Sequence, residues 1–289
     1  MSAEFFMLGY IHLFLSFSSH WSCEILSSMK LLERKIGKAK AFLRCYMHDD
    51  LHALSENGAY RAKRPAMLVF PGGGYEFCSY READPVALRF FALGYEVFTL
   101  FYSCRDDIAI SEPEAEGAEA LGYIRSLESV DPDRVCGIGF SAGAHALGTV
   151  ACHGRKYGSD VNFNAIVMSY PVVTSGEYAH RGSINNVTLG DTSKNAYFSL
   201  ETQIPSDFPP CFIWSTTDDN TVPIENSLML YNAVRAKGVK VDLHIYSNGI
   251  HGLSIANNET GFPNRRVSGW FDDAEAFLEE ALDFNQYSL

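Results

Sequence analysis

Ser141, followed along the chain by the acid pair Asp218-Asp219 and then by His251, supplies the three side-chain types that nucleophilic acyl transfer needs. A serine hydroxyl attacks poorly until a base takes its proton, and an imidazole serves as that base when a carboxylate fixes its tautomer. Ser141 stands in Gly139-Phe140-Ser141-Ala142-Gly143, after the run Asp133-Arg134-Val135-Cys136-Gly137-Ile138 and before the small-residue stretch 144–151. A serine between two glycines at a strand-to-helix corner is the nucleophile-elbow pattern. The corner leaves no room for flanking side chains, and its strained turn pushes the hydroxyl clear of the sheet. The amide of Ala142 then opens a helix, where unpaired N–H groups can hold a developing oxyanion.

A competing pattern overlaps it, because Gly137-Ile138-Gly139-Phe140-Ser141-Ala142 also fits the dinucleotide fingerprint. That fingerprint needs an acidic residue about 20 positions on, at the end of the next strand. Asp160 is the nearest candidate, and it precedes the strand 165–169 instead of ending it. The dinucleotide reading fails on context.

The partners of Ser141 stand in the chain order Ser, Asp, His expected of a hydrolase elbow. An apolar strand over 211–215 leads into Thr216-Thr217-Asp218-Asp219-Asn220-Thr221-Val222-Pro223, so both acids lie just past a buried strand. Pro223 opens a helix over 224–237, which Gly238 closes. The next strand, 239–246, runs into Ser247-Asn248-Gly249-Ile250-His251-Gly252-Leu253. Of the nine histidines, His251 alone combines a strand-end position, a flanking glycine and the right order. His244 reads as a half-buried strand residue, and His145, one turn past Ser141, as packing beneath the nucleophile. His48, His52, His153 and His180 have no partner in the sequence.

Upstream, the strand 66–70 runs into Pro71-Gly72-Gly73-Gly74-Tyr75. Consecutive glycines let backbone amides approach a substrate oxygen, which makes the amides of Gly73, Gly74 and Ala142 the expected oxyanion donors. One such donor is typically worth about 3 kcal/mol of transition-state stabilisation. Tyr75 and Tyr102 are candidates for the pocket mouth, and aromatic core packing explains them equally well.

On these stretches, together with Arg81-Glu82-Ala83-Asp84-Pro85-Val86-Ala87, Tyr170-Pro171-Val172 and Glu225-Asn226-Ser227, the chain from about Met29 to its end resembles the α/β-hydrolase superfamily. Within it, the chain is similar to the esterase/lipase branch that holds small acetyl esterases and acetylxylan and feruloyl esterases. The resemblance favours Asp219 over Asp218 as the orienting acid, because Val222 and Pro223 follow it at the usual spacing. Asp218 is left to form the turn. Pro71 stands where lipase-like relatives carry histidine, and backbone donors do not depend on that side chain. The resemblance implies a serine carboxylesterase without cofactor or metal, acting on short acyl esters, acetyl first, on sugars or xylo-oligosaccharides. A peptidase of the dipeptidyl-peptidase or prolyl-oligopeptidase type is a second reading, although such relatives usually carry a large extra domain for which this chain has no room. A non-catalytic, ligand-binding homologue is a third.

The elements that must position these residues alternate along the chain. The strand 66–70, a helix around 85–93 ended by Gly94, the strand 95–100, a helix around 114–127 and the strand 135–138 give the βαβ signature of a mainly parallel sheet flanked by helices. Residues 31–48 suit antiparallel edge strands. A final helix, 267–284, gathers Trp270, Phe271, Ala274, Phe277, Leu278 and Ala281 on one face. Residues 29–289 therefore read as one α/β-hydrolase catalytic domain, since an α/β chain of 289 residues that is 47% apolar buries a large core as a single unit. Any cap over the site must come from 172–209, too polar for a long lipase lid. Residues 1–28 read as an N-terminal extension without catalytic role: the apolar run 5–17 has no basic residue before it and is short for a membrane span.

Bulk properties narrow the partners. Net charge is −12, from 35 acids against 23 bases, and no basic cluster occurs, which argues against nucleic acid. Seven dispersed cysteines without C-x-x-C spacing argue for reduced thiols in a cytoplasm. The expected partner is a small-molecule ester and not a membrane; the oligomeric state, a homo-oligomer included, is left open.

Overall fold

Near-continuous apolar strands need cover on both faces, and the burial of strand β4 (Arg64–Phe70) shows how the chain provides it. Ala66, Leu68 and Phe70 point into one apolar cluster, while Met67 and Val69 point into another on the opposite face. The period-2 alternation of a strand thus divides the interior into two layers. The computed structural model describes residues 6–7, 29–48, 63–105 and 112–284. Its strands form one sheet in the order β1-β2-β3-β5-β4-β6-β7-β8-β9. β4, β5 (Glu96–Phe101), β6 (Val130–Phe140), β7 (Ala165–Ser169), β8 (Cys211–Thr216) and β9 (Val241–Tyr246) are mutually parallel. β2 (Met29–Lys35) and β3 (Phe42–His48) continue the sheet antiparallel beyond β5, as the sequence suggests for this region.

Helices cover both faces. α2 (Glu112–Arg125), α3 (Ala142–His153) and α5 (Glu225–Ala236) supply Leu121, Ala146, Leu147 and Leu230 to one cluster. α1 (Asp84–Ala92) and α6 (Trp270–Leu282) supply Phe90, Trp270, Phe271 and Leu278 to the other. α1 carries proline inside its first turn, where a missing N–H costs nothing. Gly94 and Gly238, at φ +88° and +75°, take the left-handed turns that follow α1 and α5.

β6 departs from its expected length. It begins at Val130, not near Val135, and contains Pro132, which has no N–H for the ladder. The pairing with β4 accommodates this by a register shift, since Arg64 faces Val130 while Ala66 faces Val135. In the region 172–209 the chain forms one eight-residue helix, α4 (Arg181–Thr188), with single 3₁₀ turns at Thr192–Lys194 and Leu200–Thr202. Of the segment 1–28, only β1 (Phe6–Met7) is described, its backbone paired antiparallel with Leu32 and Glu33; the rest lies outside the described residues. Among the described residues, no helix is long and apolar enough to cross a membrane.

Candidate active site

The site is built at the C-terminal ends of the parallel strands, where an open α/β sheet places its ligands. β6 ends at Phe140, and Ser141 follows at φ +54°, ψ −119°, a conformation costing a non-glycine residue of order 1–3 kcal/mol. Packing enforces it. A Cβ on Gly139 would lie 2.5 Å from the Ala144 Cα, and one on Gly143 would lie 2.2 Å from the Phe70 carbonyl oxygen. Both flanking glycines are therefore required by backbone that cannot yield, which is the physical content of the elbow pattern. The Ser141 N–H donates to the Ser169 carbonyl at the end of β7, and the Ser141 carbonyl accepts from His145 and Val172.

The serine hydroxyl donates to His251 Nε2 at 2.8 Å. On the other side of the ring, His251 Nδ1–H donates to Asp219 Oδ2 at 2.6 Å. Asp219 follows β8 and is 7% exposed; its Oδ1 accepts the backbone N–H groups of Thr221 and Val222, each at 2.9 Å. Those two bonds leave only Oδ2 for the imidazole and explain why Val222 sits three residues on. Asp218 is exposed. The neighbouring turn is tied down by fully buried Asn226, whose amide donates to the Pro223 and Tyr178 carbonyls and whose oxygen accepts from Val173 and Thr174.

The glycine segment after β4 stands beside the serine. Gly73 and Gly74 have φ +129° and +67°, and a Cβ on Gly73 would lie 2.1 Å from the Phe77 carbonyl. Gly73 and Gly74 line an open cleft of 620 Å³ together with Ser141, His251, His180, Thr221 and Gly252. Ala142 is the first residue of α3, so its N–H has no partner within the helix. The structure thus gathers Ser141, Asp219, His251, Gly73, Gly74 and Ala142 at one end of the sheet.

Tyr75 and Tyr102 do not reach the pocket mouth. Tyr75 is fully buried, with its hydroxyl donating to His145 Nδ1 at 2.7 Å; Tyr102 is 4% exposed and donates to the Pro71 carbonyl at 2.6 Å. The left-handed turn at Gly73, Gly74 and Tyr75 directs Tyr75 inward, while Tyr102 leaves the end of β5 and is held under the loop by its bond to Pro71. Beneath the elbow, His145 completes the same cluster. Its Nε2–H donates to the Phe198 carbonyl, so Nδ1 is the acceptor, and burial drives its pKa down to about 4. It is neutral packing, as its place one turn past Ser141 suggests.

The cleft also uses residues that the sequence does not single out. His180 caps α4 by accepting the Ser183 N–H, and its ring forms part of the cleft wall. Burial, and then the neighbouring His251, hold its imidazole below the usual histidine pKa. Phe77 and Tyr80 line the rim, at 59% and 69% exposure. His180 belongs to a loop that joins the site only through the fold, and nothing in its sequence neighbourhood signals this.

Geometrically the arrangement can pass a proton from a hydroxyl to an imidazole braced by a buried carboxylate, next to the backbone amides of Gly73, Gly74 and Ala142. Comparison with known proteins points the same way. The profile of the prolyl oligopeptidase family matches residues 116–283. An endo-1,4-beta-xylanase B from Butyrivibrio fibrisolvens is 34% identical over 256 residues, covering 82% of this chain but only 37% of the relative. The chain thus spans little more than a third of that curated relative. Among solved structures, an acetyl ester-xyloside bifunctional hydrolase from Caldicellulosiruptor lactoaceticus is 30% identical at a TM-score of 0.73, covering 84% of this chain and 89% of that one. A carboxylesterase from Lactobacillus plantarum is 26% identical at a TM-score of 0.75, covering 87% and 98%.

Proposed function

Since the chain belongs to the prolyl oligopeptidase family and is a hydrolytic enzyme of the α/β-hydrolase superfamily, we propose that it is a serine carboxylesterase for short acyl esters, acetyl esters of sugars or xylo-oligosaccharides foremost. The observation that carries this is the continuous hydrogen-bonded line from Ser141 through His251 to Asp219, opening on the cleft.

In this reading His251 Nε2 takes the Ser141 proton as Oγ attacks the ester carbonyl, and the amides of Gly73, Gly74 and Ala142 hold the oxyanion. The imidazolium, stabilised by Asp219, then protonates the departing alcohol. Water repeats the sequence against the acyl-enzyme, with His251 again as base. Residues 29–289 form the catalytic unit, and residues 1–28 take no part in the chemistry. The xylanase and acetyl ester-xyloside names of the relatives support the sugar alcohol, and the short polar cap over the cleft suits small soluble esters. The cytoplasmic setting rests on the seven dispersed cysteines of the sequence, odd in number and without C-x-x-C spacing.

Hydrolysis of p-nitrophenyl acetate, butyrate and longer esters tests the proposal, with Ser141→Ala as control. Turnover is expected to be highest for acetate and to vanish in the variant; fastest turnover on long chains contradicts the short-acyl assignment. The family match favours one other reading, peptide hydrolysis by the same three residues. Peptide nitroanilides distinguish it: cleavage faster than that of acetyl esters replaces the esterase reading.

A further inference from the structure

Glu82 is a buried carboxylate that the steps above do not use. It closes the 3₁₀ turn Tyr80–Glu82 and is 3% exposed, and among the described residues its hydrogen-bond partners are a backbone amide and a phenol instead of a basic side chain. Its two oxygens are divided between two parts of the site. Oε2 accepts the N–H of Gly72, immediately before the glycines of the oxyanion loop, at 2.9 Å. Oε1 accepts the hydroxyl proton of Tyr170, the residue that follows β7, at 2.6 Å.

Tyr170 carries the connection onward. Its hydroxyl oxygen accepts the N–H of Ser254, three residues past His251, at 3.0 Å. Its ring stands edge-on to the His251 ring, with centroids 5.0 Å apart. Ser254 is itself held at φ +52°, and its hydroxyl donates to the Arg81 carbonyl, next to Glu82. A Cβ on Gly72 would come within 2.7 Å of Glu82 Oε2, so the carboxylate lies directly against the oxyanion-loop backbone.

From this geometry we infer that Glu82 is a positioning residue, one carboxylate that sets both the oxyanion loop through Gly72 and the histidine loop through Tyr170 and Ser254. The inference rests on the esterase reading. Both groups that Glu82 meets arrive as donors, an amide N–H and a phenol O–H, so each of its two oxygens serves as an acceptor. A neutral glutamine has one acceptor oxygen and turns an NH₂ group toward the other donor. Either the Gly72 N–H loses its acceptor or the Tyr170 hydroxyl must turn to accept the amide and give up its own bond to residue 82, and the small displacements that follow at a reacting centre cost catalysis heavily. The displaced groups act on the tetrahedral oxygen and on the proton in flight, so the loss falls on kcat and not on KM.

The test compares Glu82→Gln and Tyr170→Phe with the wild-type chain on p-nitrophenyl acetate. Active sites are titrated with a fluorophosphonate, and thermal melting is followed by circular dichroism. A carboxylate that serves only folding lowers the melting temperature or the number of titratable sites and leaves kcat per titrated site unchanged. The positioning role predicts that kcat per titrated site falls about 30-fold or more in Glu82→Gln, with KM within about threefold of wild type. Tyr170→Phe, which keeps the carboxylate and its bond to Gly72 but severs the histidine arm, is expected to lose at least about fivefold in kcat. If Glu82→Gln does not fold, Tyr170→Phe decides. A folded Glu82→Gln, or in its absence Tyr170→Phe, with kcat per site within twofold of wild type overturns the inference. A wild-type chain inert on esters would sink the esterase reading instead.

Discussion

Replacing Asp219 by asparagine removes one charge and no atoms of bulk, and the surroundings dictate which way the new amide must turn. Oδ1 of Asp219 accepts two backbone N–H groups, from Thr221 and Val222, inside a site that is 7% exposed. The asparagine oxygen must stay there, because turning the NH₂ toward two donors leaves both unsatisfied, at about 1–3 kcal/mol each. The NH₂ group then occupies the position of Oδ2, 2.6 Å from His251 Nδ1 in the parent. It can only donate, so Nδ1 becomes the acceptor and the ring proton moves to Nε2, where it faces the Ser141 hydroxyl. That tautomer cannot take the serine proton. Restoring the working tautomer requires the unfavourable flip, about 2–6 kcal/mol in all, which corresponds to a loss of roughly 30-fold to 10⁴-fold in rate. The assay is kcat/KM on p-nitrophenyl acetate for Asp219→Asn, with exposed Asp218→Asn as control and expected within twofold of wild type. An Asp219→Asn enzyme within threefold of wild type would refute the tautomer argument.

Other perturbations have equally definite outcomes. Gly143→Ala places a methyl 2.2 Å and 2.3 Å from the Phe70 and Pro71 carbonyl oxygens, which are backbone atoms; a destabilisation of about 3 kcal/mol, or some 6–10 °C in melting temperature, is expected by calorimetry. Buried His145, with its pKa lowered to about 4, stays neutral while its unfolded counterpart protonates below about 6.5, so it makes stability fall as pH drops from 6.5 to 4. Glu116, which burial raises to about 7, has the opposite sign: the folded state keeps its proton and gains stability as pH falls from 7 to 4.5. His145→Gln should therefore lose less melting temperature than wild type between pH 7 and 4.5, and an equal or steeper loss contradicts the assignment. Truncation to Met29 is expected to keep kcat/KM within twofold, and collapse of folding on truncation contradicts the proposal that residues 1–28 lie outside the catalytic unit.

What the sequence reveals of this molecule is what local chemistry demands. Gly139 and Gly143 advertise the elbow because no other residue fits against the backbone there. The runs 66–70, 165–169 and 211–215 read as buried strands because a parallel sheet is covered on both sides, and the turn glycines at 94 and 238 mark the ends of helices. Order along the chain and strand-end position nominate Ser141, His251 and the pair Asp218-Asp219, since each must follow a different strand of one sheet, and the family spacing to Val222 and Pro223 selects Asp219. Contacts made only after the sheet closes leave no such mark. Glu82 and Tyr170 are 88 positions apart, and neither carries a spacing that announces the other. His180 joins the cleft wall from the loop between β7 and β8. Tyr75 and Tyr102 show the converse: such aromatic residues suit a pocket and a core equally, and only the turn at Tyr75 and the bond from Tyr102 to the Pro71 carbonyl place them inside. The extra length of β6 was hidden by Pro132, whose missing N–H argues against a strand until a register shift accommodates it.

The central claim is that one hydroxyl in this chain is chemically unlike its neighbours because an imidazole and a buried carboxylate converge on it. Peptide mapping by mass spectrometry after treatment with a fluorophosphonate measures that directly. The account predicts stoichiometric modification at Ser141 in the wild-type chain and its loss in His251→Ala with the fold retained. An unmodified wild-type chain, or an adduct on another serine, contradicts it.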